Sequence, residues 1–192
     1  CALPIFEAGK TTVNAVEFAV QDLFSTLRGM LRPLLVGDTV ALIFEDAGDV
    51  PKLIGDEGKI SQIVRNFISN ALKFTPAGEV RVWAEYDRPA DTITFRVRDS
   101  GIGIAEKDID VIWQEFTQIS SALQAKVKGT GLGLPLSKKL AELMRGQVSV
   151  VSAPGQGAVF SVTLPRIFRA TDPAGAEQQW VLQPGQIGRA HV

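Results

Sequence analysis

Residues 56–75, D-E-G-K-I-S-Q-I-V-R-N-F-I-S-N-A-L-K-F-T, decide how this chain is read. Ile60, Ile63, Val64, Phe67, Ile68, Ala71 and Leu72 recur at three- and four-residue steps, the spacing of one buried stripe on an α-helix. Asp56 stands at the N-cap position, where a carboxylate accepts from the first unpaired N–H groups. Pro76 and Gly78 stop the helix. Along its edge run Gln62, Asn66, Asn70 and Lys73, at steps of four, four and three, so they share a second stripe bordering the apolar one. Amide oxygens are hard ligands suited to magnesium, and an ammonium suits phosphate. The stripe therefore fits a metal-bound polyphosphate, with a solvated helix face as the competing reading.

Outward from this helix the chain alternates between periods. On the C-terminal side, Glu79–Tyr86 and Thr92–Arg98 alternate as two antiparallel strands joined across Asp87–Asp91. Glu106–Trp113 reads as a short helix, and Thr117–Lys128 as a polar mobile loop. Thr130–Gly133 opens a helix to Met144 with Gly146 as its cap, and Val148–Ser152 with Ala158–Leu164 forms a closing hairpin. On the N-terminal side, Val13–Val20 has weak strand character. Gln21–Leu35 reads as a helix carrying Leu23, Phe24, Leu27, Met30 and Leu31, which Pro33 ends, and Thr39–Glu45 as a strand. These elements predict an α/β two-layer sandwich, one mixed and mainly antiparallel sheet with three helices on one face.

Two glycine-rich segments flank the mobile loop. In Asp99-Ser-Gly-Ile-Gly-Ile104, at a strand end, Gly101 and Gly103 permit backbone approaches that a side chain forbids, and Asp99 can accept from a ligand's amino group. An Asx turn satisfying its own backbone is the alternative. In Gly129-Thr-Gly-Leu-Gly-Leu134, the glycines expose N–H groups at a helix N-terminus, where a phosphate is favoured. Neither a dinucleotide fingerprint nor a P-loop is present. Pro135 falls in the first turn, where a missing N–H costs little. The loop between them, holding Phe116 and ending in Lys126 and Lys128, is a candidate lid.

Composition narrows the function classes. Apolar residues make up 45% of the 192, enough for a packed core. Lys plus Arg number 20 against 21 Asp plus Glu, which removes the positive excess that a general grip on nucleic acid or membrane requires. No apolar run reaches the roughly 20 residues that span a bilayer. The one cysteine, Cys1, allows no internal disulfide, consistent with a cytoplasmic setting. The chain opens without Met and reads as a piece of a longer protein whose other parts include, in principle, a membrane anchor.

Taken in order, the Asn-bearing helix, the Asp-Gly-x-Gly turn, the Phe-containing loop and the Gly-x-Gly-x-Gly helix start resemble the histidine kinase branch of the GHKL ATPases, which share the Bergerat fold. Asp56–Thr75 is similar to that family's N box, D-S-G-I-G-I to its first glycine box, W-Q-E-F-T-Q (residues 113–118) to its F box, and G-T-G-L-G-L to its second glycine box. The resemblance runs from about Thr12 to Pro165. It divides the chain into 1–11, the end of a linker from a dimerisation and phosphoacceptor domain, 12–165, the ATP-binding catalytic domain, and 166–192, a disordered tail or linker.

The resemblance implies an ATP and magnesium site. Asn70 and Asn66 would hold the metal, and Lys73 the phosphates, with Asn66 and Lys73 serving the chemistry. Asp99 would accept from the adenine amino group, beside Gly101, Gly103 and Ile104. Lys128, Gly129, Thr130, Gly131, Leu132 and Gly133 would hold the phosphates and hinge a lid anchored by Phe116. In the gyrase, mismatch-repair and heat-shock branches a Glu stands four residues before the magnesium Asn and activates water. Here that position is Asn66, and an amide is no general base. The expectation is a protein-histidine kinase whose acceptor histidine lies on its own dimerisation domain, for relay to a response regulator receiver. His191, the only histidine, lacks the helical acidic context of an acceptor. The isolated domain is expected to be a monomer without membrane or nucleic-acid contact. The rival readings are a nucleotide-binding regulatory module (an anti-sigma-type serine kinase or a pseudokinase) and a water-activating ATPase.

Overall fold

A computed structural model describes residues 12–35, 39–117 and 130–169. Five strands form the main sheet: β2 (Val40–Phe44), β4 (Gly78–Asp87), β5 (Thr92–Asp99), β6 (Gln147–Ser152) and β7 (Ala158–Pro165), in the order β2-β4-β5-β7-β6. All neighbours are antiparallel except β2 and β4, which run parallel. Three helices cover one face: α1 (Val20–Leu31), α2 (Glu57–Phe74) and α3 (Gly133–Leu143). This is the mixed, mainly antiparallel two-layer sandwich that the sequence predicts.

The period of each element explains the layering. On β4 and β5, Val80, Val82, Ile93, Phe95 and Val97 point inward and are wholly buried, while Arg81 pairs with Glu79 and Arg96 with Glu85 on the open face. Against the inner face lie Ile60, Ile63, Val64, Phe67 and Ile68 of α2, and Leu23, Phe24 and Leu27 of α1. Ring contacts knit the layers: Phe24 meets Phe95 at 6.3 Å edge-on, and Phe67 meets Phe160 at 5.4 Å.

Several boundaries differ from expectation for identifiable reasons. The first helix ends at Leu31, four residues early, because Pro33 draws Arg32–Leu34 into a 3-10 turn. Glu106–Trp113 is two 3-10 turns, Glu106–Asp108 and Val111–Trp113, pinned by Trp113 edge-on to Phe160 at 6.1 Å. Gly146 is not the left-handed cap of α3. Arg145 takes that conformation (φ 60°), its N–H donating to the Glu142 carbonyl, and the Gly146 N–H then reaches Ala141 at 2.8 Å, a Schellman closure. Gly146 is needed for space instead, since a Cβ there would lie 2.4 Å from the Thr163 carbonyl oxygen.

A second, two-stranded sheet was not foreseen. β1 (Val16–Phe18) pairs antiparallel with β3 (Leu53–Gly55). Ile167 adds a parallel bridge to Ile54, with Ile54 N–H donating to Arg166 O at 2.8 Å and Phe168 N–H to Ile54 O at 2.7 Å. The folded body therefore continues past Pro165 to Arg169, and Phe168 is buried. The boundary expected at residue 166 is corrected accordingly: main-chain pairing and a buried ring hold residues 166–168 to the domain. Residues 1–11 and 170–192, with His191, lie outside the described residues, as does most of the expected mobile loop.

Candidate functional site

Asp56 fixes where α2 begins. Its Oδ1 accepts from the Lys59 N–H at 3.0 Å, and its Oδ2 from the Asn14 N–H at 2.9 Å and Lys59 Nζ at 2.6 Å. Burial alone would raise this carboxyl's pKa, but these bonds outweigh it and hold it below the ordinary value. With α2 phased by that cap and by its buried stripe, Gln62, Asn66, Asn70 and Lys73 all fall at half-buried positions along the rim. The Asn70 side chain has no protein hydrogen-bond partner among the described residues. The Lys73 ammonium lies 5.1 Å from the Phe74 ring centroid, with no carboxylate in salt-bridge range among the described residues.

The first glycine turn docks on the end of the same helix. Ile102 N–H donates to the Phe74 carbonyl at 3.2 Å. A Cβ on Gly101 would sit 2.3 Å from that carbonyl oxygen, so only glycine permits the contact. Asp99, at the end of β5, is 5% exposed and accepts from the Gly101 N–H at 2.8 Å. Burial raises its pKa, with bonds from the Gly101 and Ala158 N–H groups opposing. The carboxylate is thus fixed in an Asx turn and still has acceptor capacity left over. Gly103 (φ 69°) packs against the Ala153 carbonyl, and Ile104 N–H donates to Ser152 Oγ at 2.8 Å, whose hydroxyl donates to Gly157 O at 2.6 Å. Ser152, read from the sequence only as the end of a hairpin strand, thus supports the first glycine turn.

The second glycine segment meets α2 at mid-length. Asn66 Nδ2 donates to Gly133 O at 3.2 Å and to Ser137 Oγ at 3.1 Å. Gly131 (φ 68°) packs on the backbone of Phe116 and Thr117, so the two described ends of the intervening loop come together. Phe116 itself has φ 59° and is 76% exposed; its main chain makes the contact with Gly131. Glu115 pairs with Lys139 on α3. Thr130 is exposed, Leu132 is 39% exposed, and no side chain caps α3. Lys128 and Gly129 lie outside the described residues. Sequence reasoning missed Ser137. The signal was there, a hydroxyl one turn after Gly133 on the apolar face of α3.

The structure therefore gathers three polar groups along one helix rim. An acceptor carboxylate lies at the C-terminal end of α2, uncommitted amides and an ammonium along it, and an uncapped helix N-terminus across from its middle. Among the described residues, hard amide oxygens, an ammonium without a carboxylate partner and no carboxylate cluster suit a magnesium ion that arrives with phosphate ligands, because the ion then needs few protein donors. Among the described residues no group of three His, Cys, Asp or Glu could hold a metal alone. No helix among them is long and apolar enough to cross a membrane.

Comparison with known proteins agrees with this arrangement. A profile of the family "Histidine kinase-, DNA gyrase B-, and HSP90-like ATPase" matches residues 55–167. The chain is 35% identical over 162 residues to the sensor histidine kinase GacS of Pseudomonas protegens, covering 82% of the chain and 18% of that protein. It is 34% identical over 160 residues to the sensor histidine kinase RcsC of Escherichia coli, covering 83% and 17%. The chain thus spans about a fifth of the length of the curated relatives it matches. Full-length ShkA in complex with AMPPNP superposes with a TM-score of 0.74 at 28% identity, over 85% of this chain and 34% of that one. The catalytic domain of histidine kinase ThkA, at 21% identity, shares the fold with a TM-score of 0.68 over 80% of this chain and 97% of its own. The chain belongs to the histidine kinase-, DNA gyrase B- and HSP90-like ATPase family, as an ATP-binding catalytic domain of the sensor histidine kinase type.

Proposed function

We propose that this domain binds ATP with magnesium and presents the γ-phosphoryl group to a histidine on a separate phosphoacceptor domain, for relay to a response regulator receiver. The observation that carries the reading is the state of Asn66. It stands where water-activating relatives place a Glu, and both N–H groups of its amide are directed at Gly133 O and Ser137 Oγ. Nothing at this position can take a proton from water. A site that holds nucleotide without activating water is what transfer to a histidine nitrogen requires. The likeness to AMPPNP-bound ShkA supports the nucleotide part.

In this reading Asp99 accepts from the adenine amino group, and Ile104 with Gly101 and Gly103 walls the base. Asn70 and the Oδ1 of Asn66 face the metal, Lys73 neutralises phosphate, and Thr130, Gly131, Leu132 and Gly133, with Lys128 and Gly129, cover the phosphates. Magnesium supplies charge neutralisation on the phosphate oxygens. The bond from the γ-phosphorus to the bridging oxygen breaks as the bond to the imidazole nitrogen forms, and ADP leaves. The chain's contribution is position and charge.

The test is incubation with magnesium, γ-labelled ATP and a separately supplied acceptor domain bearing a phosphorylatable histidine. The expected result is label on the acceptor and little phosphate release without it. Nucleotide binding without transfer to the cognate acceptor would favour the regulatory-module reading. Fast acceptor-independent hydrolysis would favour a water-activating ATPase.

A further inference from the structure

Resting on that reading of the site, we propose that Ser137 is a positioning residue for the metal. It orients the Asn66 amide so that Oδ1, and not Nδ2, faces the magnesium-bound phosphates.

Ser137 on α3 is fully buried, at 0% exposure. Its hydroxyl donates to Gly133 O, four residues back, at 3.0 Å. That bond alone would be the ordinary way for a helical serine to satisfy itself. The same oxygen also accepts from Asn66 Nδ2 at 3.1 Å, across 71 residues of chain, while Asn66 Nδ2 donates to Gly133 O at 3.2 Å. Three groups thus close a ring of hydrogen bonds between α2 and the start of α3.

The ring has a direction. With its proton given to Gly133 O, the Ser137 oxygen can only accept from Asn66. Gly133 O is itself only an acceptor. Both groups facing the Asn66 amide therefore ask for N–H, and an amide has two on one nitrogen. Turning the amide over would set Oδ1 against the Gly133 carbonyl oxygen and leave its N–H groups facing the metal, which no cation tolerates. Gly133 O cannot enforce this alone, because one acceptor occupies one N–H and leaves the amide free to tilt. Metal ligands are commonly oriented in this way by residues that never touch the ion.

The experiment measures ATP affinity of the whole chain with and without magnesium, for wild type and Ser137→Ala. In wild type, magnesium should tighten ATP binding. Ser137→Ala should keep magnesium-free affinity within about twofold and lose about tenfold or more of the magnesium-dependent gain. Ser137→Cys, of similar size and weakly hydrogen-bonding, should recover part of it, and it serves as the primary variant if Ser137→Ala does not fold. A second readout needs no nucleotide. The Asn66 side-chain N–H resonances, identified by their loss in Asn66→Ala, should move toward solvent-like positions in Ser137→Ala. An undiminished magnesium gain in Ser137→Ala, with those resonances unmoved, overturns the assignment. A merely structural serine would weaken ATP binding equally with and without magnesium, and that result also overturns it. If wild type binds no ATP under either condition, the functional reading itself fails and takes this inference with it.

Discussion

Arg166 holds Asp91 in a forked pair, with Nε 2.6 Å from Oδ1 and Nη2 3.3 Å from Oδ2, across 75 residues of chain. The Tyr86 hydroxyl donates to the same Oδ1 at 2.9 Å, and the Arg166 N–H to the Asp91 carbonyl at 2.9 Å. The pair is partly exposed, so Arg166→Ala should cost about 1 kcal/mol in urea denaturation. Lys at 166 should restore only part, since it lacks the planar fork. Phe168→Ala should cost about 3 kcal/mol, because it removes a buried ring. A null effect at Phe168 would mean that the domain does end at Pro165.

Asp56→Ala should cost about 2 kcal/mol, because it uncaps α2 and strands the Asn14 N–H. The folded pKa of this carboxyl lies below its ordinary value of 3.8. Its contribution is therefore complete above that value and lost as pH falls through the lower folded pKa. Acid denaturation curves of wild type and Asp56→Asn should converge at low pH. Parallel curves would show that the charge on Asp56 contributes nothing.

For Asp99 the sign reverses. Burial raises its folded pKa, so the fold prefers the neutral acid, and its stabilising contribution, full at low pH, declines as pH rises through the raised value. Nucleotide binding should run the other way, since only the carboxylate accepts from an amino group without giving up an acceptor site. ATP affinity should fall as pH drops through that pKa, and Asp99→Asn should flatten the profile and shrink the preference for ATP over GTP by about tenfold. Binding that tracks pH equally in Asp99→Asn would place the titrating group elsewhere.

Two glycines give opposite expectations. Gly155 has φ 74° but open space around its missing side chain, so Gly155→Ala should cost only the left-handed backbone penalty, about 1 kcal/mol. Gly101→Ala drives a methyl to 2.3 Å from the Phe74 carbonyl oxygen and should displace the whole turn, weakening ATP binding beyond its effect on melting temperature. Calorimetry paired with nucleotide titration separates the two.

Legibility in the sequence followed the range of the forces involved. The α2 helix was readable because its cap, apolar stripe and Pro76 stop all act within one or two turns. The β4–β5 hairpin was readable from alternation. By contrast, Leu53-Ile54-Gly55 is too short to show a period, and its partners, Val16–Phe18 and Ile167, are distant in sequence. Arg145 in a left-handed conformation beside a glycine defeats a propensity rule because packing against Thr163 claims the glycine. In the site, the stripe and both glycine turns were visible as residue types at spacings. The partnership of Asn66 with Ser137 was not, because it depends on how two helices pack.

The small ribbon has a mechanical meaning. β1 and residues 166–168 lie on opposite edges of β3, and they run in opposite directions, so the chain enters and leaves this body at the same end of the ribbon. Tension between residues 12 and 169 would peel the ribbon open one hydrogen bond at a time, starting at that end, while the five-stranded sheet carried no load. Asn14, tied to the Asp56 cap, stands at the head of that line, so the first bonds to yield under tension would be those that fix the start of α2.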